Sequence, residues 1–233
     1  MAHLDGTLLD SLWGDFDAEA AEPRLREARM AAEGNVADEL ITQMARAAGL
    51  QERYQQGHAL LDTIANDDPV VQQRIALERG RLYHSAGDSL TARPLFQRAV
   101  EIDADPFLTV DALHMLAIVN PSNARYWYNW GMRLATESSD PRVQRWEGSL
   151  RNNWAWTLVD NYLPEEALAE FFAAEEWFYA HGTAHQVHVA RWSIAHILRR
   201  TGRPEEARAL LLDLKENSEP DSYVDEELAL LDD

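Results

Sequence analysis

The sequence contains no cysteine and almost no lysine. Without cysteine, neither a disulfide framework nor a thiolate metal site can form, which is compatible with a reducing cytoplasm. Lys215 is the only lysine, and arginine supplies all of the remaining side chains in the Lys and Arg total. This bias is typical of a GC-rich bacterial genome, so we expect a bacterial, cytoplasmic protein.

Long apolar runs and excess positive charge are also missing. No stretch approaches the roughly 20 apolar residues that cross a bilayer, and residues 1–7 lack the start of a secretory signal. The chain has 21 Lys and Arg against 40 Asp and Glu, a formal net charge of −19. A general nucleic-acid binder needs a basic face, and anionic lipid would repel this chain. We expect no nucleic-acid partner and no membrane partner.

Catalytic motifs are absent as well. The sequence has no Gly-rich phosphate loop, no GxSxG elbow and no cysteine nucleophile. The pairs Glu165-Glu166 and Glu205-Glu206 look like helix starts, where acidic residues favour the positive end of the helix dipole. We therefore expect no enzymatic activity and no cofactor.

What the chain does have is a register that recurs five times. Each copy begins with a small residue, and a second small residue follows 12 positions later. A large apolar or aromatic residue stands 16 positions after the first small residue, and a small or aliphatic residue stands 19 positions after it. The large residues are Leu61, Phe96, Tyr128, Phe171 and Leu211; the first small residues are Ala45, Gly80, Ala112, Ala155 and Ala195. A fixed register with variable gaps is the signature of a helical-hairpin repeat.

Proline positions fit such hairpins in part. Pro121, Pro164 and Pro204 each fall nine positions after the first small residue, where we expect the first turn of a second helix. Pro94 falls inside a predicted helix and should bend it or delay its start. Pro23 is expected to open an N-terminal helix that ends near Gly34.

The second copy, with Gly80, Tyr83, Ala92, Phe96 and Ala99, resembles the small and aromatic signature of the tetratricopeptide repeat (TPR) family. The run that starts at Asn152 (Asn-Asn-Trp-Ala) is similar to the Asn-Asn-Leu-Ala opening of the longer repeats in kinesin light chains. The resemblance implies an all-α, right-handed α-solenoid of about five stacked antiparallel helix hairpins, with capping helices at both ends.

The expected domain organisation follows the register. Residues 1–35 are predicted to form an N-terminal cap in which Trp13 and Phe16 dock on an apolar edge. Residues 36–215 hold the five repeats, and residues 216–233 an acidic C-terminal helix. The repeats span about residues 36–67, 71–105, 106–138, 147–181 and 186–215.

The family resemblance also implies a binding groove lined by the first helix of each hairpin. Its positions hold more arginines than carboxylates, although the chain is acidic overall. Such a basic trough would attract a carboxylate-bearing peptide, with tryptophan as an anchor. The alternative is that the arginines pair with acids of the chain itself. The candidate groove residues are Arg46, Arg74, Arg81, His84, Asn152, Trp156, Asp160, Trp192, His196, Arg199 and Arg200.

Four histidines, His181, His185, His188 and His196, lie close together in the sequence. The i, i+4 pair of His181 and His185 has zinc-ligand spacing, but Gly182 separates them and no HExxH motif is present. We expect a polar loop and no bound metal, with a metal or small-molecule sensor as the alternative.

These observations predict a non-enzymatic scaffold that binds a protein or peptide segment, expected to be rich in carboxylates, in an arginine- and tryptophan-lined groove. The competing prediction is structural self-association. In that case repeat faces or the acidic C-terminal helix would join two copies into a homodimer.

Overall fold

The computed structural model describes residues 2–14 and 17–232 and is helical throughout, with no strand in those ranges. The predicted all-α class is confirmed. The chain divides into two compact units, Met1–Leu134 (unit 1) and Ala135–Asp233 (unit 2). Phe16, one of the two aromatic residues expected to dock the N-terminal cap, lies outside the described residues.

Unit 1 is built from helices that follow one another in antiparallel pairs. The strongest packing joins α5 to α6, α6 to α7, α2 to α3 and α3 to α4. The helices are α1 (Gly6–Trp13), α2 (Ala18–Ala31), α3 (Gly34–Leu50), α4 (Tyr54–Asp62), α5 (Pro69–Ser85), α6 (Ser89–Ile102) and α7 (Pro106–Val119), followed after a short 3-10 turn by α8 (Ala124–Glu137), which contains the division between the units.

Unit 2 continues the same pattern. Here α10 packs on α11, α11 on α12, and α12 on α13, with the short α14 resting on α13. The helices are α9 (Pro141–Gln144), α10 (Trp146–Asp160), α11 (Pro164–His181), α12 (Ala184–Arg200), α13 (Pro204–Asn217) and α14 (Ser222–Ala229).

The recurring register forms the cores of the hairpins. Phe96, Phe171 and Leu211 are fully buried, and so are the small residues one turn before them on the same helices, Ala92, Ala167 and Ala207. A small side chain on each helix lets the two backbones approach, and the large one fills the layer beside them. The register therefore predicted these core residues correctly. The exception is Ile64, at position 19 of the first copy, which lies beyond its helix because α4 ends at Asp62.

The predicted start of α2 at Pro23 is wrong, because Pro23 lies inside that helix. Pro94 lies inside α6 as predicted, but it does not delay the start of that helix, which begins at Ser89. An aspartate upstream fixes each start: the Asp17 carboxylate accepts from the amides of Glu19 and Ala20, and Asp88 accepts from that of Thr91. These caps satisfy amides that have no partner within the helix. Pro121 begins the 3-10 turn before α8 rather than α8 itself.

Other local signals act as predicted. Pro164 and Pro204 stand at the starts of α11 and α13. Gly87 and Gly202 follow the ends of α5 and α12 with φ of 87° and 78°, a conformation that favours glycine.

Candidate functional site

The candidate groove residues of unit 1 lie on α3 and α5, the first helices of their hairpins. Arg74 donates from Nε to Glu39 Oε2 at 2.8 Å, with 4% and 0% of these side chains exposed. His3, near the N-terminus, contacts the other carboxylate oxygen of Glu39 at 2.8 Å through Nδ1. Arg74 is thus held inside the unit by a carboxylate of the neighbouring first helix.

Arg81 is held in the same way between two carboxylates. Its Nη1 donates to Glu78 at 2.7 Å, and its Nη2 donates to Asp111 on α7. Burial by itself would lower the pKa of Arg81, but Asp111 and Glu78 outweigh burial and raise it. This guanidinium therefore stays charged within a set of groups that already balance its charge.

Arg46 lies beside this group. Its Nη1 is 3.8 Å from Glu78 Oε1, and its guanidinium carbon is 5.8 Å from the centre of the Trp13 ring, within cation–π range. Burial and the charge of Arg81 lower the pKa of Arg46. On α7, His114 is half-buried near the same charges. Desolvation first, and then the charges of Arg81 and Arg46, lower its pKa to about 4, although Asp111 acts to raise it. His114 is neutral at pH 7.

The remaining unit 1 candidate, His84, has a local contact. Its Nδ1 is 3.0 Å from the Ser89 hydroxyl, at the start of α6. Unit 1 therefore brings three of the predicted arginines together, but each has carboxylates of the chain within 4 Å.

Unit 2 places aromatic side chains where unit 1 has arginines. Trp156 on α10 packs against Trp192 and His196 on α12, with ring centres 6.3 and 5.8 Å away. Trp192 stacks on His196 at 5.2 Å with 24° between the ring planes. Asn152 lies one turn before Trp156 and occupies the position equivalent to Trp192 in the preceding copy.

Two buried polar atoms in this region have no hydrogen-bond partner within the ranges that the structure describes. They are Oδ1 of Asn152 and Nε1 of Trp192. One is an acceptor and the other a donor. We name Asn152, Trp156, Trp192, His196, Arg199 and Arg200 the unit 2 face.

The terminal helix α14 contacts one end of this face. Glu227 accepts from Arg199 Nε at 2.7 Å and Nη2 at 3.1 Å, and contacts His196 Nδ1 at 2.8 Å. Burial by itself would raise the pKa of Glu227, but the hydrogen bonds from Arg199 and His196 outweigh it and lower that pKa. Tyr223, one turn earlier, meets Trp192 edge-on at 6.1 Å.

Two further candidates of unit 2 remain at the surface. Arg200 is exposed, with Nη1 3.5 Å from His196 Nε2, and Asp160 is exposed at the end of α10. Arg200 therefore offers an accessible positive charge beside an aromatic surface.

Sequence reasoning did not identify Glu78, Asp111, Tyr223 or Glu227 as part of these faces. A signal for the charged contacts was present, since Glu39 and Arg74 stand at the same register position of consecutive copies with opposite charge. The i, i+4 spacing of Tyr223 and Glu227 likewise matches that of Trp192 and His196.

Three of the four histidines that lie close together in the sequence have separate partners, and the fourth, His185, is exposed. His188 bonds Asp221 at 2.8 Å, His181 packs on Trp177, and His196 belongs to the unit 2 face. Within residues 2–14 and 17–232, no three His, Asp or Glu side chains form a group suited to a metal ion. In those same ranges no helix is long and apolar enough to span a bilayer.

Comparison with solved structures places this architecture among helical repeats. A kinesin light chain-like protein of Podosopora anserina with nearly identical TPR-like repeats, and a variant of that protein, each match at 15% identity and a TM-score of 0.56. Each match covers 76% of this chain and 92% of the other. A tetratricopeptide repeat protein of Parabacteroides merdae matches at 14% identity and a TM-score of 0.43, over 97% of this chain and 98% of the other.

No protein-family model matches the sequence, and no curated protein matches it. The likeness to the Podosopora anserina protein concerns the fold, because only 15% of the aligned residues are identical. It agrees with the hairpins, the buried register and the helix order described above. The chain therefore has a tetratricopeptide-like helical-repeat fold.

Proposed function

We propose that this chain is a non-enzymatic protein-interaction scaffold whose unit 2 face binds a carboxylate-bearing segment of a partner protein. Helical-repeat folds present extended surfaces to partners. The observation that carries the proposal is the docking of α14, a short acidic helix, on this same face through Glu227 and Tyr223. The chain itself thus supplies an example of the ligand chemistry.

The contacts of α14 divide into two kinds. Glu227 supplies charge-assisted hydrogen bonds to Arg199 and His196, which are stronger than neutral ones. Tyr223 supplies a ring to the Trp192 surface. A partner segment that bears an acidic residue near an aromatic one would find the same chemistry further along the face, at Trp156 and Arg200.

The contacts of the unit 1 arginines favour unit 2 as the site of ligand binding. A ligand carboxylate would have to displace Glu39 from Arg74, or Asp111 from Arg81, inside a buried region. Displacing a buried, paired carboxylate leaves a charge without compensation. The exposed Arg200 imposes no such cost, so we assign the ligand to unit 2.

The test is a selection of random phage-displayed peptides on the full chain, followed by affinity measurements with the enriched peptides. We expect enrichment of acidic and aromatic residues. Arg200→Glu should weaken binding by about tenfold, or about 1.4 kcal/mol, and should reduce its salt dependence. The matched control is Arg98→Glu, an exposed arginine on α6. Equal binding by both variants and the unchanged chain would contradict the proposal.

The second candidate function is self-association, and a specific observation favours it. Only residues 218–221 separate α13 from α14, and charged contacts such as Lys215–Asp225 and Arg208–Asp232 help to hold the terminal helix. Exchange of α14 between two copies would preserve these contacts in a swapped dimer. Light scattering would then show a dimer for the full chain and a monomer for a truncation ending at Lys215. A full chain that is monomeric at all concentrations excludes this alternative.

A further inference from the structure

Unit 2 has a second distinctive surface, on the second helices of its hairpins. Phe172 on α11 and Leu212 on α13 are 43% and 51% exposed. Both lie 17 positions after the first small residue of their copy, so they are equivalent. In the three preceding copies the equivalent residues are Asp62, Gln97 and Asn129. The apolar character at this position is therefore confined to the last two copies.

The two apolar positions lie on adjacent helices. Arg191 on α12 contacts Glu175 of α11 at 3.2 Å through Nε and also donates to Asp213 of α13. Glu175 comes three residues after Phe172, and Asp213 directly follows Leu212. One guanidinium therefore links the two helices, at residues within one turn of Phe172 and Leu212 along the chain.

Exposed glutamates accompany the apolar residues with the same spacing on both helices. On α11 the series is Glu165, Phe172 and Glu176; on α13 it is Glu205, Leu212 and Glu216. Intervals of seven and four residues place each series on one side of its helix. Tyr179, 62% exposed and two turns beyond Phe172, extends the stripe on α11.

Carboxylates outnumber cations on this surface. Helix α11 contains no lysine or arginine. On α13, Arg208 and Lys215 lie four residues before and three residues after Leu212, but Arg208 pairs with Asp232 and Lys215 pairs with Asp225. The surface thus combines an exposed apolar stripe with flanking carboxylates, which fits a partner that presents the opposite charge around an apolar side.

We propose that the surface formed by Glu165, Phe172, Glu176, Glu205, Leu212 and Glu216, the α11–α13 face, binds a basic amphipathic helix of a partner protein. The apolar side of that helix meets Phe172 and Leu212, and its lysines or arginines meet the glutamates. A second copy of the chain would bring like charges together at this face, and an anionic membrane would be repelled by it. The site is separate from the unit 2 face and does not depend on it.

The test uses the full chain and two synthetic helical peptides with leucines at i, i+4 and i+7. One peptide carries lysines at its remaining positions and the other carries glutamates. We expect the lysine peptide to bind with an affinity that falls as salt rises, and the glutamate peptide not to bind. Absence of binding by the lysine peptide would overturn the proposal.

Variants separate this face from the overall charge of the chain. Phe172→Ala with Leu212→Ala should weaken binding of the lysine peptide by about tenfold, whereas Leu90→Ala, at an 81% exposed leucine of α6, should leave it unchanged. Both altered residues are exposed, so circular dichroism and thermal unfolding should remain as in the unaltered chain. Equal affinity of the double variant and the unaltered chain would mean that net charge alone attracts the peptide.

The glutamates have their own matched control. Glu176→Gln with Glu216→Gln should weaken binding about tenfold and flatten its salt dependence. Glu101→Gln removes a carboxylate at the equivalent register position of α6 and should change neither. If Glu101→Gln has the same effect as the double variant, the glutamates of the α11–α13 face have no special role.

Discussion

The first helices of the two units use the same register positions for different purposes. The position directly after the first small residue is Arg46 and Arg81 in the first two copies of unit 1, Leu113 in its third, and Trp156 and His196 in unit 2. In unit 1 these arginines lie beside the buried carboxylates of Glu78 and Asp111, whereas in unit 2 the rings pack on one another and remain partly exposed. The difference shows that a common scaffold register leaves the chemistry of its surface free to change from copy to copy.

The contacts of the two units also differ in how much folding stability is lost when they are broken. A buried charge that loses its partner is strongly destabilising, while a partly exposed aromatic or ionic contact loses only the interaction itself. We therefore expect substitutions at the buried charges of unit 1 to cost more stability than substitution of the exposed Arg200 of the unit 2 face.

The largest effect should come from the buried pair of unit 1. Glu39→Ala leaves Arg74 without its carboxylate at a site where only 3% of the residue is exposed. We expect a loss of about 3–5 kcal/mol in the free energy of unfolding, measured by urea denaturation of the full chain.

A double variant sharpens this prediction. Glu39→Met with Arg74→Met removes both charges and retains volume, so it should be less destabilising than Glu39→Ala alone. Arg26→Ala removes an exposed salt bridge to Glu22 and should shift stability by less than about 1 kcal/mol. A loss no larger for Glu39→Ala than for Arg26→Ala would break the comparison between the units.

An intermediate effect should appear when pH is lowered. The pKa of His114 is about 4 in the folded chain, below its ordinary value of 6.5, so the unfolded state takes up a proton first. The stability contributed by neutral His114 is present above pH 6.5 and is lost as pH falls toward 4. We expect a loss of about 2 kcal/mol between pH 7 and pH 5, measured by urea unfolding at both values.

The control is His114→Gln, which cannot take up the proton. Its stability at pH 7 need not equal that of the unaltered chain, but its loss between pH 7 and pH 5 should be smaller. An equal loss in both proteins would assign the pH dependence to groups other than His114.

The smallest effect should come from the unit 2 face. Glu227→Gln weakens the contacts of α14 with Arg199 and His196 and should cost about 1–2 kcal/mol at pH 7. Because the pKa of Glu227 is lowered in the folded chain, its contribution is present above the unfolded value of 4.5 and is lost as pH falls through the folded value. The difference between the two proteins should therefore shrink below pH 4.5. A difference that persists unchanged at lower pH would contradict the assigned role of the carboxylate.

The hairpin architecture could be predicted because it depends on local spacing. Phe96 and Ala92 lie within one helix, four residues apart, and their burial follows from helical periodicity. The start of α2 was predicted too late because Pro23 is a weaker determinant of that start than the cap at Asp17. Two side-chain hydrogen bonds at Asp17 fix the start of α2 despite the proline that follows.

The pairing of charges could not be predicted in the same way. Arg74 and Glu39 are 35 residues apart, and Arg81 and Asp111 are 30 apart. Each pair forms only because consecutive first helices lie side by side, so its partners depend on the exact rotation of each helix. The sequence indicated which residues face this side but left open whether a ligand or the chain itself would pair with them.

The most direct test of our central claim is hydrogen–deuterium exchange of the full chain with and without an acidic peptide obtained by the selection described above. We predict slower exchange in α10 (Trp146–Asp160) and α12 (Ala184–Arg200) when the peptide is bound, with no change in α5 (Pro69–Ser85). Protection of α5 without protection of α10 and α12 would place the ligand on the arginines of unit 1 and contradict the account.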